Sequence, residues 1–176
     1  MLRPRPKHII ACTLKYVPMD NIHQYEARLA WEGNLGTGTS SYPDYGRNFR
    51  IDIVDKPSLL GSADAVFRGD ADRHNPEDLL VSAISSCHML AYLALCTRQG
   101  ICVTAYEDRA VGIMKLDANG SGRFTEVALN PIVTVASDAD AARAERLHEL
   151  AHKACFIANS CAMPISCQPE IRVDNQ

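Results

Sequence analysis

Asn75-Pro76-Glu77-Asp78-Leu79-Leu80, running on through Ser86-Cys87-His88-Met89-Leu90 to Arg98-Gln99-Gly100, carries its own helix signals. Asn75 is a good N-cap, and Pro76 suits the first helical position. Glu77 and Asp78 place negative charge at the positive end of the helix dipole. About twenty residues with few charges follow, and Gly100 is a natural C-terminal stop. Leu80, Ala83, Ile84, Cys87, Ala91, Ala94 and Leu95 keep helical spacing, while Leu79, Leu90 and Leu93 fill the other side. A helix that is apolar nearly all round is expected to be buried. That puts Cys87 mid-helix in an interior, where a cysteine is ordinarily an inert small hydrophobe.

The whole chain has 176 residues, enough for one domain with a good core. Its hydrophobic content of 47% and charged content of 22% are ordinary for a globular protein. A net charge of −3 gives no electrostatic reason to expect nucleic acid. No apolar run is read as a membrane span free of polar interruption. Met1 to Lys7 is basic but lacks the apolar core and cleavage site of a signal peptide, so the expected location is the cytoplasm. Residues 1–20 read as an N-terminal extension, with Met19 a candidate alternative start, and residues 21–176 as the domain. Of seven cysteines (Cys12, Cys87, Cys96, Cys102, Cys155, Cys161 and Cys167), none falls in a Cys-x-x-Cys pair. That count suits buried thiols with one or two reactive members better than a disulfide scaffold or a cysteine-rich zinc site.

On either side of the helix the pattern is mostly that of strands. His23–Glu32 alternates, and so does Phe49–Ile53, with a glycine-rich hairpin turn at 34–41 between them. Residues 61–75 are expected as a surface connection. One strand is expected from Cys102 through Met114, followed by a turn at Asp117–Gly122 and a return from Phe124 to Val135, interrupted at Asn130-Pro131. A second helix is expected from about 138 to 157, capped by Ser137-Asp138-Ala139-Asp140. Glu170–Val173 closes the chain as a short strand. This order describes an α+β domain.

Two arrangements of residues compete for the chemistry. His148-Glu149-Leu150-Ala151-His152 is a His-Glu-x-x-His on a helix, a spacing that can hold zinc with Glu149 as general base. The longer metalloprotease pattern fails, because Cys155 stands where glycine is needed and Ala158 where a third histidine is needed. The other candidate is Cys87 with Cys155, 68 positions apart. If the two helices pack together these thiols meet, and a reactive thiolate with a resolving cysteine is the minimal apparatus of a thiol peroxidase.

At these residues the chain resembles the OsmC/Ohr family of thiol-dependent hydroperoxide reductases. The matching pieces are Asn75-Pro76-Glu77-Asp78-Leu79-Leu80, Ser86-Cys87-His88, Ala151-His152 with Cys155, and the Trp31-Glu32-Gly33 strand end. The resemblance spans about residues 23–174. It implies a peroxidatic role for Cys87, a resolving role for Cys155 and a site role for Glu77. It also implies an OsmC-like α+β fold, with antiparallel sheets packed around a buried central helix in an intertwined homodimer. The chain departs from the family at Phe156-Ile157 after Cys155 and in having no arginine within 33–41, so Arg47 is the candidate for the site arginine, with Cys161 a rival resolving thiol.

Geometry adds a constraint. Ten residues of straight helix separate Glu77 from Cys87 by about 15 Å. The two serve one site only if the helix breaks or a second chain supplies Glu77. The function that the resemblance implies is reduction of organic hydroperoxides, fatty-acyl ones included, with no cofactor and no metal. The resemblance also implies a small dithiol reductant, such as a lipoylated protein, to complete the cycle, and neither nucleic acid nor membrane is an expected partner. The alternatives are an OsmC-like thiol protein that binds a small electrophile or sulfur compound, and a zinc hydrolase.

Overall fold

A computed structural model describes residues 22–174. The expected extension at 1–20, Met19 and Cys12 lie outside the described residues. The long helix, α1 (Pro76–Arg98), starts and stops as its sequence indicates. Asn75 Oδ1 accepts the Asp78 N–H at 2.7 Å, and Asp78 Oδ2 accepts the Asn75 N–H at 3.3 Å, a reciprocal capping box. Gly100 ends the helix region with φ 71°, a conformation that favours glycine. Asn75→Ala removes one side of the box and should cost about 1 kcal/mol. The check is a urea melt, in which Asn75→Ser should keep most of the midpoint that Asn75→Ala loses.

Burial of α1 differs from the expectation. One chain buries only the row Ile84, His88, Tyr92 and Cys96, each four residues from the last. Ser82, Ser86, Leu90 and Ala94 form an opposite row that is exposed, Leu90 to 63%. Two of the fully buried side chains are polar or carry a polar tip, because His88 finds a partner on another helix and Tyr92 stacks beside it. By length and composition α1 is also apolar enough to cross a membrane, against the sequence reading. Ser86 donates back to the Ser82 carbonyl at 2.7 Å, and Ser85 donates to Asp108 at 2.5 Å.

The strands form three three-stranded sheets. The first is an antiparallel set of β1 (Arg28–Trp31), β2 (Phe49–Asp52) and β3 (Leu59–Gly61). β1 is shorter than expected. The 61–75 connection is not wholly at the surface, since Gly61 and Ser62 are buried. The other sheets share one bent hairpin of β4 (Val103–Asp108), β5 (Val111–Leu116), β6 (Gly122–Leu129) and β7 (Pro131–Val135). The strand expected from 102 to 114 is therefore two strands in different sheets. Asp108 makes the corner: its carboxylate accepts from Ser85 Oγ on α1 and from the Asn130 N–H at 2.8 Å. Asn130 Nδ2 donates in turn to the Arg109 carbonyl at 3.0 Å. Both arms thus bend at the same level, and the expected interruption at Asn130-Pro131 is half of that corner.

The sheets are not all antiparallel. β8 (Ile165–Cys167) runs parallel to β6, and β9 (Glu170–Val173) parallel to β7. Parallel pairing requires a long crossover, and α2 (Ala141–Ala154) with α3 (Phe156–Asn159) supplies it. The helix expected over 138–157 is interrupted. A 3₁₀ turn precedes it at Asp138–Asp140, and Cys155 adopts an extended conformation at φ −76°, ψ 108°. The Cys155 thiol then caps α3 by accepting the Ala158 N–H at 3.4 Å.

The α1 row joins two cores. Tyr92 and Cys96 pack with Val133, Val135, Ala144, Leu147 and Ala151, while Ile84 packs with Val127 and Leu129. α1 therefore presents Cys87 toward the α2–α3 break and His88 toward the interior of α2.

Candidate functional site

Cys87 and Cys155 come together. Cys87 is half-buried on α1, and Cys155 is fully buried at the start of α3. Burial pushes the Cys155 thiol up to about 11; the Ala158 N–H pulls against this, and the adjoining Cys87 thiol adds to it. The helix break makes the meeting possible, since extended backbone at 155 turns the side chain toward α1. Cys161 packs instead with the Ile84 core.

Glu77 and Arg47 come together elsewhere. They line one cleft of about 330 Å³ with Trp31, Tyr45, Phe49 and Phe67. The Arg47 guanidinium lies 4.2 Å from the Tyr42 ring centre and 4.1 Å from that of Tyr45. It donates to the carbonyl oxygens of both tyrosines, at 2.8 Å to Tyr42. Stacking on two faces and two carbonyl bonds fix the planar cation. Neither Glu77 nor Arg47 takes part in an ion pair among the described residues. α1 continues unbroken from Glu77 to Cys87, so within one chain the two pairs stay about 15 Å apart.

Sequence reasoning missed a third group. His88 Nε2 lies 3.0 Å from His148 Nδ1, and Cys167 Sγ lies 3.6 and 3.7 Å from those two nitrogens. Tyr92 stacks on His148 with ring centres 3.9 Å apart. Burial lowers the pKa of His88, with the charge of nearby His152 adding, and burial then His88 lower that of His148 to about 3, so both rings are neutral at pH 7. Burial likewise pushes Cys167 up to about 12, helped by Asp108. The His-Glu-x-x-His reading is corrected here: His148 turns inward to His88, while Glu149 stays exposed and His152 half-buried. The only legible sign was His88 on the α1 face four residues from Ile84 and from Tyr92. Its partner is 60 positions away.

The family model described as OsmC-like protein matches residues 69–170, more than half of the chain. No curated protein sequence matches. Among solved structures, an OsmC-like protein of unknown function from Vibrio cholerae is 28% identical, with TM-score 0.75 and coverage of 84% of this chain and 99% of its own. An organic hydroperoxide resistance protein from Elizabethkingia anophelis, with thiocyanate bound, is 18% identical, with TM-score 0.64 and coverage of 89% and 100%. The organic hydroperoxide resistance protein OsmC from Legionella pneumophila is 16% identical, with TM-score 0.63 and coverage of 86% and 98%. With its fold, the paired thiols of α1 and α3 and a match over most of the folded region, the chain belongs to the OsmC-like family.

Proposed function

We propose that this protein is a thiol peroxidase for organic hydroperoxides that works as a cytoplasmic homodimer. The observation that carries the reading is the contact of half-exposed Cys87 with buried Cys155 across the helix break. The Cys87 thiolate attacks the terminal peroxide oxygen; the O–O bond breaks, the alcohol leaves with a proton, and Cys87 becomes a sulfenic acid. Cys155 sulfur then attacks the Cys87 sulfur, and the hydroxyl leaves as water with the Cys155 proton. A dithiol reductant restores both thiols by exchange. Phe156, next to Cys155 and 80% exposed, favours bulky apolar hydroperoxides.

The dimer would join what one chain keeps apart. If two α1 helices pack antiparallel with Glu77 of each opposite Cys87 of the other, they cross near residue 82. The exposed row Ser82, Ser86, Leu90 and Ala94 is small enough there for close approach. Glu77 would then orient an arginine, Arg47 by this reading, against the thiolate. The stacking of Arg47 between two tyrosines favours the other reading, a thiol protein that binds a small electrophile without reducing peroxide.

The test is one equivalent of cumene hydroperoxide added to fully reduced protein, followed by non-reducing peptide mapping. The expected product is a Cys87–Cys155 disulfide with one equivalent of alcohol. No loss of thiol within minutes would leave only the binding reading.

A further inference from the structure

We propose that His88, His148 and Cys167 form a binding site for a zinc-class metal ion, separate from the Cys87–Cys155 pair. The three donor atoms come from α1, α2 and β8, so tertiary packing rather than a local motif gathers them. Two imidazoles and a thiol suit zinc or a similarly soft cation and not magnesium or calcium.

The separations fit. Tetrahedral zinc, with Zn–N near 2.0–2.1 Å and Zn–S near 2.3 Å, holds two nitrogens about 3.3 Å apart and nitrogen and sulfur about 3.5 Å apart. The observed values are 3.0 Å between nitrogens and 3.6 and 3.7 Å from sulfur to each. Each is within about 0.3 Å of the requirement. The two rings are nearly parallel, at 12°, and share one N–H···N hydrogen bond. A metal ion takes the place of that proton, which moves to an outer ring nitrogen. The Cys167 thiol gives up its own proton to solvent and binds as thiolate, so one proton is released per ion.

One further observation points the same way. His148 and Cys167 line a cavity of about 610 Å³, together with Glu149 and His152. This gives an ion a route in and leaves room for a fourth ligand, such as water or a small thiol. The outer nitrogens, His88 Nδ1 and His148 Nε2, are buried and have no hydrogen-bond partner. The lack of outer partners also sets the strength: such partners are typically worth 10–100-fold in metal affinity, so the ion should exchange readily rather than be locked in. The site borrows His148 from the His-Glu-x-x-His segment but takes its other ligands from α1 and β8.

The experiment uses the full reduced chain with Co²⁺ as spectroscopic probe and Zn²⁺ in competition with a chromogenic chelator. One equivalent of Co²⁺ should give a thiolate-to-cobalt charge-transfer band, intense tetrahedral visible bands and release of one proton. Cys167→Ser, a small change at a half-buried position, should remove the charge-transfer band and weaken Zn²⁺ binding about tenfold or more. Its thermal melt verifies folding. The double variant Cys87→Ser/Cys155→Ser should keep both the band and the affinity. Absence of stoichiometric binding in folded wild type overturns the site. So does a charge-transfer band that survives Cys167→Ser, or one that disappears in the double variant and thereby assigns the metal to the reactive pair.

Discussion

Cys87→Ser should slow hydroperoxide-driven oxidation of the protein by about a thousandfold or more, because it removes the only atom proposed to attack oxygen. Cys155→Ser should behave differently. Its first turnover should proceed at close to the wild-type rate, releasing one equivalent of alcohol, and then stop with a sulfenic acid on Cys87 that a carbon nucleophile such as dimedone captures. Burial is the reason for proposing these unequal roles. Cys155 is fully enclosed, and its thiol is held to about 11, so at neutral pH it is protonated and out of reach of a bulky peroxide. Cys87 is half-buried and faces it. Stopped-flow mixing with cumene hydroperoxide and mass analysis of the trapped products distinguish the two variants. If Cys155→Ser lost the first step as fully as Cys87→Ser, the division of labour would be wrong.

Tyr92→Ala should destabilise the fold by about 3–5 kcal/mol, the usual cost of deleting a buried aromatic ring. Tyr92 is wholly enclosed, lies in the core shared by α1, α2 and β7, and stacks on His148. Tyr92→Phe isolates the contribution of the ring. The Tyr92 hydroxyl has no oxygen or nitrogen partner, only the weak thiol of Cys96 beside it. Removing it should leave stability within about 1 kcal/mol of wild type, since no good hydrogen bond is lost. Chemical denaturation of the two variants measures both effects. A Tyr92→Phe variant as damaged as Tyr92→Ala would mean that the hydroxyl, not the ring, holds the core.

Features set by neighbouring residues are legible in the amino-acid sequence. Asn75 and Asp78 cap α1 within one turn, Gly100 ends it, and Asp117 to Gly120 turns the hairpin, with φ 83° at Gly120. Features set by distant partners are not. Nothing around Asp108 announces that Ser85 and Asn130 will bend the chain there. β3 and β8 are three residues each and exist because β2 and β6 lie beside them. The same division runs through the site. The surroundings of Cys87 read as an inert interior. Its pairing with Cys155 comes from the resemblance and from supposing that the two helices pack together, whereas the distance that keeps Glu77 from Cys87 follows from helix geometry alone. The His88–His148 contact depends on how α1 rolls against α2, and helical periodicity alone places His88 in an apolar interior without saying what it meets.

The extended residue at 155 has a thermodynamic corollary. A bond between Cys87 and Cys155 closes a loop of 68 residues. In the chain-entropy description such a closure raises resistance to unfolding by about 4 kcal/mol. Linkage makes the same quantity the amount by which folding shifts the equilibrium toward the oxidised pair, relative to the unfolded chain. The protein would be toughest directly after it has consumed its oxidant, and a monothiol would be a poor agent for resetting it. A reductant that carries two thiols on one molecule closes its own ring as it opens this one, which is the property the proposed cycle demands of its partner.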